Sequence, residues 1–285
     1  MSPRLRLAIP NKGRLAEPAI ELLRDAGFVF DPHDRRLVAH VENLDVDVLF
    51  VRAGDIVEFV ADGVADLGIT GRDLLAERDS PLQALRELGF GHCRLSVAVP
   101  DESPYQAVED LAGLRSATAH PNLARRFFAE RELNVEVIPL SGAVEVAPRL
   151  GLAESIVDLV STGSTLAMNG LRPIGVVLES EAVLVGGPTS EGRADEVAAV
   201  DQMLGAVLEG RRSKYVMMNA PADRLAELRS LLPALASPSV IPLAEEGMIA
   251  IHSVVGAADV WRLLPRLKAG GASGILVLPI EKILG

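Results

Sequence analysis

The stretch "DLVSTGSTL", residues 158–166, sets an acid and four hydroxyl residues around one glycine. "SIVDLV" reads as a strand and "LAMNGL" as a short helix, so Ser161, Thr162, Gly163, Ser164 and Thr165 fall where a strand ends and a helix begins. Backbone N–H groups at a helix start lack intrahelical partners, the helix dipole favours an anion, and the hydroxyls add donors. A phosphate suits such a turn, and Gly163, having no Cβ, lets the backbone approach it closely. Asp158 is an acid beside a proposed anion site, and makes sense as the acceptor for hydroxyls of a sugar attached to that phosphate. The same residues fit a plain capped turn with Ser164 or Thr165 as N-cap, and the local sequence leaves both readings open.

The elements that must position this turn alternate between apolar strand-like runs and helical patterns. "RLRLAIP" leads through "NKGR" into "LAEPAIELLRDAGF", where Leu15, Ile20, Leu22 and Leu23 form a core-facing stripe and Gly27 suits a helix stop. "RLVAHV", "VDVLFVR", the helix "AGDIVEFVADG" and the strand "DLGIT" follow. After "RLSVAVP" the rhythm repeats through "LRSATA", "PNLARRFFAEREL", "VEVIPL", the helical "GAVEVAPRLG" and "ESIVDLV". Strands alternating with helices predict doubly wound parallel sheets. We expect two α/β lobes, with "VAVPDESP" as the first crossing and "RPIGVVLESEAVLVG" as a strand pair leading back. The first lobe is then discontinuous, residues 1–95 and 180–212, closed by the long helix "SEGRADEVAAVDQMLGAVLEGRR", and the second lobe is 96–179. Ligands in such sheets gather in the cleft at the carboxyl ends of strands. From Ser213 the order becomes βαββαβ, a ferredoxin-like domain over 213–285.

Composition narrows the setting. The chain has 285 residues, which is long for a single core, and 49% hydrophobic residues supply material for several. Twenty-eight basic against 39 acidic residues give −11, which argues against broad nucleic-acid binding and requires a local basic cluster for any anionic ligand. No apolar run approaches the ~18 residues of a membrane helix. No signal peptide is read at the start, and the lone Cys93 forms no internal disulfide, so the expected setting is the cytoplasm. Cys93 lies between His92 and Arg94, as an activated thiol would, but a free cysteine at a strand edge is usually packing.

The window from Glu145, "EVAPRLGLAESIVDLVSTGSTL", sets Glu145, Gly151, Ala153, Ile156, Asp158, Leu159, Thr162, Gly163, Thr165 and Leu166 at fixed spacings. It resembles the signature of the ATP phosphoribosyltransferases of histidine biosynthesis. "PNKGRL" at 10–15 and "DLGITGRDLL" at 66–75 resemble two further blocks of that family in the same order, and the βαββαβ tail is similar to the regulatory domain of its long form. The resemblance covers essentially the whole chain. It implies a periplasmic-binding-protein-like catalytic region of type II, and a Mg²⁺-dependent reaction in which N1 of ATP displaces pyrophosphate from C1 of phosphoribosyl pyrophosphate with inversion. Such chemistry needs no protein nucleophile; it needs alignment and stabilisation of developing charge. Mg²⁺ would arrive on the pyrophosphate, keeping several waters, so no protein metal cage is expected.

On this resemblance Ser161 to Thr165 hold the donor's 5′-phosphate and Asp158 its hydroxyls. Lys12, Arg14, Arg52 and Arg72, at strand ends beside glycines, supply the positive cluster, though each alone also reads as a solvated arginine or lysine. Asp73 and Glu145 are candidates for Mg²⁺-water or hydroxyl contacts, and each reads equally as a helix cap or an exposed acid. Two departures stand out. His120 in "ATAHPNL" occupies a position where the family usually shows Tyr; it is assigned to substrate binding, with a structural polar residue as the alternative. Pro148 falls inside the expected helix "GAVEVAPRLG", which it must either begin or kink. In the tail, Asn219, Ser239, Val254 and Gly274 match the family's effector pocket, which implies histidine as inhibitor and exchange between a homodimer and a homohexamer. A two-lobed binding module without catalysis is the competing reading, and a regulatory subunit that has lost its chemistry is a third.

Overall fold

A computed structural model describes residues 4–31, 37–232 and 237–284; Arg36, the start of the expected strand "RLVAHV", lies outside the described residues. The chain divides into two units, Met1–Glu21 with Phe28–Val197, and Leu22–Gly27 with Ala198–Gly285.

The first unit carries two sheets. In the first, β1 (Leu5–Pro10) runs into α1 (Ala16–Ala26), whose Leu22 and Leu23 are fully buried, with Leu15 and Ile20 nearly so. Each such side chain contributes ~1.5–3 kcal/mol by leaving water. Gly27 ends the helix at φ +101°, as its place in the sequence predicts. Then come β2 (Val38–His40), β3 (Val46–Val51), α2 (Ile56–Ala61), β4 (Leu67–Gly71), α3 (Arg72–Glu77) and β5 (Gln83–Glu87). The second sheet is built from β6 (Cys93–Pro100), β7 (Arg115–Thr118), α4 (Pro121–Ala129), β8 (Glu136–Pro139), β9 (Ser155–Val160), α5 (Ser164–Met168) and β10 (Leu171–Ser180). The chain then returns to the first sheet as β11 (Ala182–Gly186). The strand orders are β2-β3-β1-β4-β11-β5 and β10-β6-β9-β7-β8.

Both sheets are mixed rather than parallel, because the strands next to each crossing run back along the sheet. β11 is antiparallel to β4 and β5, and β6 is antiparallel to β9 and β10. The first crossing lies between Glu87 and Cys93, ahead of the expected 97–104. "RLSVAVP" is one uninterrupted strand of the second sheet, and the turn residues after it only end that strand. The helix expected over "GAVEVAPRLG" is a single 3₁₀ turn, Val144–Val146, followed by turns. Pro148 has no N–H to extend the ladder, so it lies beyond the helical turn and neither begins nor kinks a helix.

In the second unit, α6 (Ala194–Arg212), which passes between the units after Val197, leads into β12 (Ser213–Pro221), α7 (Leu225–Leu231), β13 (Ser239–Pro242), β14 (Met248–Gly256), α8 (Val260–Ala269) and β15 (Ser273–Pro279). This is the expected βαββαβ order, and the sheet order is β13-β14-β12-β15. Val216, Met218, Ile251, Leu228, Leu263 and Leu267 pack the helices on one face. No helix among the described residues is long and apolar enough to cross a membrane.

Candidate active site

The turn after β9 has the form its composition predicts, with one difference. Gly163 is itself the N-cap of α5, at φ +81° and ψ −9°, and no side chain caps the helix; Ser164 is the first helical residue. The capped-turn reading through Ser164 or Thr165 therefore does not describe it. Thr162 and Ser164 hydroxyls lie 2.9 Å apart, and Ser161, Thr162, Ser164 and Thr165 are exposed. A Cβ on Gly163 would meet nothing within 4 Å, so glycine is required here by the left-handed backbone rather than by crowding.

Asp158 is half-buried on β9, opposite Ser96 of β6, and accepts the N–H of Leu159 at 2.8 Å. Burial pushes its carboxyl up, aided by the like charge of Glu145 and opposed by the Leu159 bond and His120. Glu145 is half-buried in the 3₁₀ turn, whose left-handed N-cap is Ala143.

The second polar centre lies between the lobes. Asp73, in the first turn of α3, is 1% exposed. Its N–H donates to Ser180 Oγ at 3.0 Å, Ser180 Oγ donates to Asp73 Oδ1 at 2.5 Å, Arg14 Nη2 donates to Oδ1 at 3.1 Å, and His120 Nε2 is 3.5 Å from Oδ2. Burial alone would raise the Asp73 carboxyl; the bonds from His120 and Ser180 and the Arg14 charge outweigh it and hold the group below its usual range. His120 precedes α4 and is buried; its N–H donates to Thr118 Oγ1 at 2.9 Å, and its Nδ1 has no partner among the described residues. Cys93, buried against the same residues, has its thiol pushed up by burial. A cavity of about 220 Å³ is lined by His92, Cys93, Arg94, Val160, Ser161, Glu179 and Ser180, so it touches Ser180 of this centre and Ser161, the first residue of the hydroxyl-rich turn.

The structure thus brings Arg14, Asp73 and His120 together, and couples Asp158 to Glu145 and His120. Lys12 and Arg52 are exposed, with no ion-pair partner among the described residues, and Arg72 pairs with Glu87. Sequence reasoning missed Ser180 and Glu77. Glu77 accepts the N–H groups of Asn122 and Leu123, each at 2.9 Å. Its one signal is the spacing of four from Asp73, which puts both on one face of a helix.

In the second unit, Asn219 (β12) and Gly274 (β15) are neighbours: a Cβ on Gly274, at φ +57°, would lie 3.6 Å from Asn219 Nδ2. Ser239 pairs with His252, which pairs with Met217, so Ser239 shares the helix-free face with Asn219. Val254 is on that face too but opposite Tyr215, about 13 Å along the strand from Asn219.

The family model described as HisG, ATP phosphoribosyltransferase, matches residues 52–207, and HisG, C-terminal domain, matches 210–282. The chain belongs to the ATP phosphoribosyltransferase family. It is 42% identical over 287 aligned residues to an ATP phosphoribosyltransferase of Cytophaga hutchinsonii, covering 100% of both chains. It is 44% identical to that of Methanopyrus kandleri, covering 98% of this chain and 99% of the relative. A chain of the ATP phosphoribosyl transferase (HisG:HisZ) complex from Thermotoga maritima superposes with a TM-score of 0.64 at 30% identity, covering 72% of this chain and 98% of that one. The C-terminal match makes this a long-form ATP phosphoribosyltransferase chain, with the family's small C-terminal domain after the two-lobed region.

Proposed function

We propose that the chain transfers the phosphoribosyl group of phosphoribosyl pyrophosphate to N1 of ATP, giving phosphoribosyl-ATP and pyrophosphate, the first step of histidine biosynthesis. Family membership gives the reaction; the observation that carries the assignment of residues is the turn 161–165, exposed, rich in hydroxyls and uncapped, with Gly163 left-handed at a helix start. Ser161 to Thr165 hold the donor's 5′-phosphate, and Asp158 accepts from the ribose hydroxyls at the end of the same strand. Lys12, Arg14, Arg52 and Arg72 neutralise the pyrophosphate and triphosphate. The adenine nitrogen is already a nucleophile and pyrophosphate a good leaving group, so the protein's task is to set the two in line.

Mg²⁺ fits the oxygen donors present. No group of three or more His, Cys, Asp or Glu able to hold a metal occurs among the described residues, but a hydrated ion bound through substrate phosphates needs only one or two carboxylates, and the half-buried Asp158 and Glu145 can supply them, whereas Asp73 is buried with its oxygens already engaged. When bound it would neutralise charge on the departing pyrophosphate. Histidine is proposed as an inhibitor bound on the helix-free face of the tail near Asn219 and Gly274, with Ser239 on the same face. The exposed Leu276, Leu278 and Ile241 of the tail sheet support exchange between a homodimer and a homohexamer. A cytoplasmic setting fits the lone buried thiol.

The test is incubation of the full chain with ATP, phosphoribosyl pyrophosphate and Mg²⁺, following near-ultraviolet absorbance of the adduct. Growth that requires all three components is expected, and its absence would remove the proposal.

A further inference from the structure

The two lobes are joined covalently by two crossings, at residues 88–92 and at Glu181. The third connection is not covalent. Glu77, the last residue of α3 on the first lobe, is 9% exposed and places one carboxylate oxygen on the N–H of Asn122 and the other on the N–H of Leu123, the second and third residues of α4 on the second lobe. Asn122 Nδ2 returns a bond of 3.0 Å to the Glu77 carbonyl. One turn earlier on the same face of α3, Asp73 meets His120, the residue just before α4. Arg126 of α4 donates to the Ala76 carbonyl and, at 2.8 Å, to Asp79.

We propose that Glu77 is a positioning residue for phosphoribosyl transfer: its carboxylate bolts α3 to the start of α4 and so fixes the angle between the lobes. The inference rests on the phosphoribosyl-transfer reading. In that reading the donor phosphate is held by the second lobe's turn, and Lys12, Arg14, Arg52 and Arg72 all come from the first lobe. The reacting atoms are in line only at one lobe angle, and a misplacement of ~1 Å costs ~100-fold in rate. Glu77 touches neither substrate site, so its loss acts on alignment rather than on either binding surface. Two backbone donors at a helix start would also lose the acceptor that Glu77 gives them, which is why the bolt is a carboxylate rather than an apolar contact.

Glu77→Gln keeps the shape and one acceptor oxygen; Glu77→Ala removes both. In the full chain, kcat is expected to fall about tenfold in Glu77→Gln and about 100-fold in Glu77→Ala, with each substrate's KM within about twofold of wild type. If Glu77→Ala does not fold, Glu77→Gln decides. A folded Glu77→Gln with wild-type kcat overturns the proposal, and so does a rise in KM at constant kcat. Independently, spin labels at the exposed Gln83→Cys and Glu130→Cys, with Cys93→Ser, report the lobe separation by electron–electron double resonance. A narrow distance distribution is expected with Glu77 and a broad one with Glu77→Gln, and identical distributions overturn the bolt. Should the unsubstituted chain show no transfer at all, the reaction is misassigned, and the distance measurement still tests the bolt.

Discussion

The turn 161–165 and the centre around Asp73 belong to one unit, yet they treat their polar groups in opposite ways. In the turn, the hydroxyls face water, the helix start has no side-chain cap, and the one hydroxyl pair, Thr162 with Ser164, links residues two apart. Around Asp73, a carboxylate 1% exposed takes bonds from Arg14 and Ser180 and faces His120, groups drawn from three separate parts of the chain. An anion site must keep donors free until the anion arrives, whereas a group that fixes geometry must have its partners in place beforehand. On the proposed assignment, free donors mark where a ligand binds, and satisfied ones mark what holds the binding surfaces in position.

The sharpest way to break this contrast is at Gly163. Valine there must adopt a left-handed backbone at a strain of ~1–3 kcal/mol, and its branches enter the space a phosphate needs. We expect Gly163→Val to lose transfer by at least ~100-fold while circular dichroism still shows a folded chain. Unchanged affinity for phosphoribosyl pyrophosphate in calorimetry would show that the turn is not the phosphate site.

Asp73→Ala is next. Arg14 is about a third exposed, so only part of a buried pair's worth is at stake, and we expect ~2–3 kcal/mol of stability loss in denaturant unfolding. The pH dependence has a definite sign. The folded Asp73 carboxyl is held below its ordinary value, so its stabilisation is present above the ordinary carboxylate range and disappears as pH falls through the lowered folded value. The melting temperature of wild type should thus drop more steeply in acid than that of Asp73→Asn; parallel curves would remove the linkage.

Smaller effects test the proposed cations, of which Arg14 and Arg72 are already paired and Lys12 and Arg52 are exposed. Alanine at Lys12, Arg14, Arg52 or Arg72 is expected to weaken a polyanionic substrate by roughly three- to tenfold, more at low salt. Four variants with wild-type KM values would place the positive field elsewhere. In the tail, Gly274→Leu puts a side chain beside Asn219 and should raise the histidine needed for half-inhibition several-fold, read at both scarce and near-saturating substrate. If millimolar histidine alters neither the rate nor the sedimentation of the unsubstituted chain, the regulatory assignment fails while the catalytic one stands.

The smallest change expected is a gain. Burial raises the Asp158 carboxyl, so its ionisation opposes folding as pH rises from the unfolded to the raised folded value, and the penalty persists above that. Asp158→Asn should be more stable by about 1 kcal/mol at neutral pH, with the gain absent in acid, while transfer falls. A variant no more stable than wild type would show that Asp158 carries no strain for the sake of its ligand.

What the sequence made legible was local. The stripe Leu15, Ile20, Leu22 and Leu23, the stop at Gly27, the βαββαβ tail and the phosphate-type turn all follow from period, glycine placement and hydroxyl content within short windows. β5 was missed because "QALRE" is an exposed edge strand with almost no apolar pattern to read. Around Pro148 the apolar spacing predicts a helix, and the missing N–H leaves only a single 3₁₀ turn, Val144–Val146, before it. Ser180 and Glu77 were missed for a different reason: their partners are 107 residues away at Asp73 and 45 away at Asn122, and no window spans that distance. The exposed turn is written in one stretch; the contacts around Asp73 and Glu77 are written in several.

β11 inserts between β4 and β5, and it is made about a hundred residues after β5 ends at Glu87. At ordinary rates of synthesis the ribosome needs ~5–20 s to deliver it. Throughout that interval two strands of the first sheet present unpaired edges to whatever else is nascent nearby, which is the condition under which strands join the wrong neighbour. The second sheet, whose strands all lie between Cys93 and Ser180, completes its pairing first. Assembly of the first unit therefore starts with its second sheet and finishes with its first, and a pause placed once Gly186 has left the ribosome should raise the yield of folded chain, whereas one placed once Glu87 has left it should lower it.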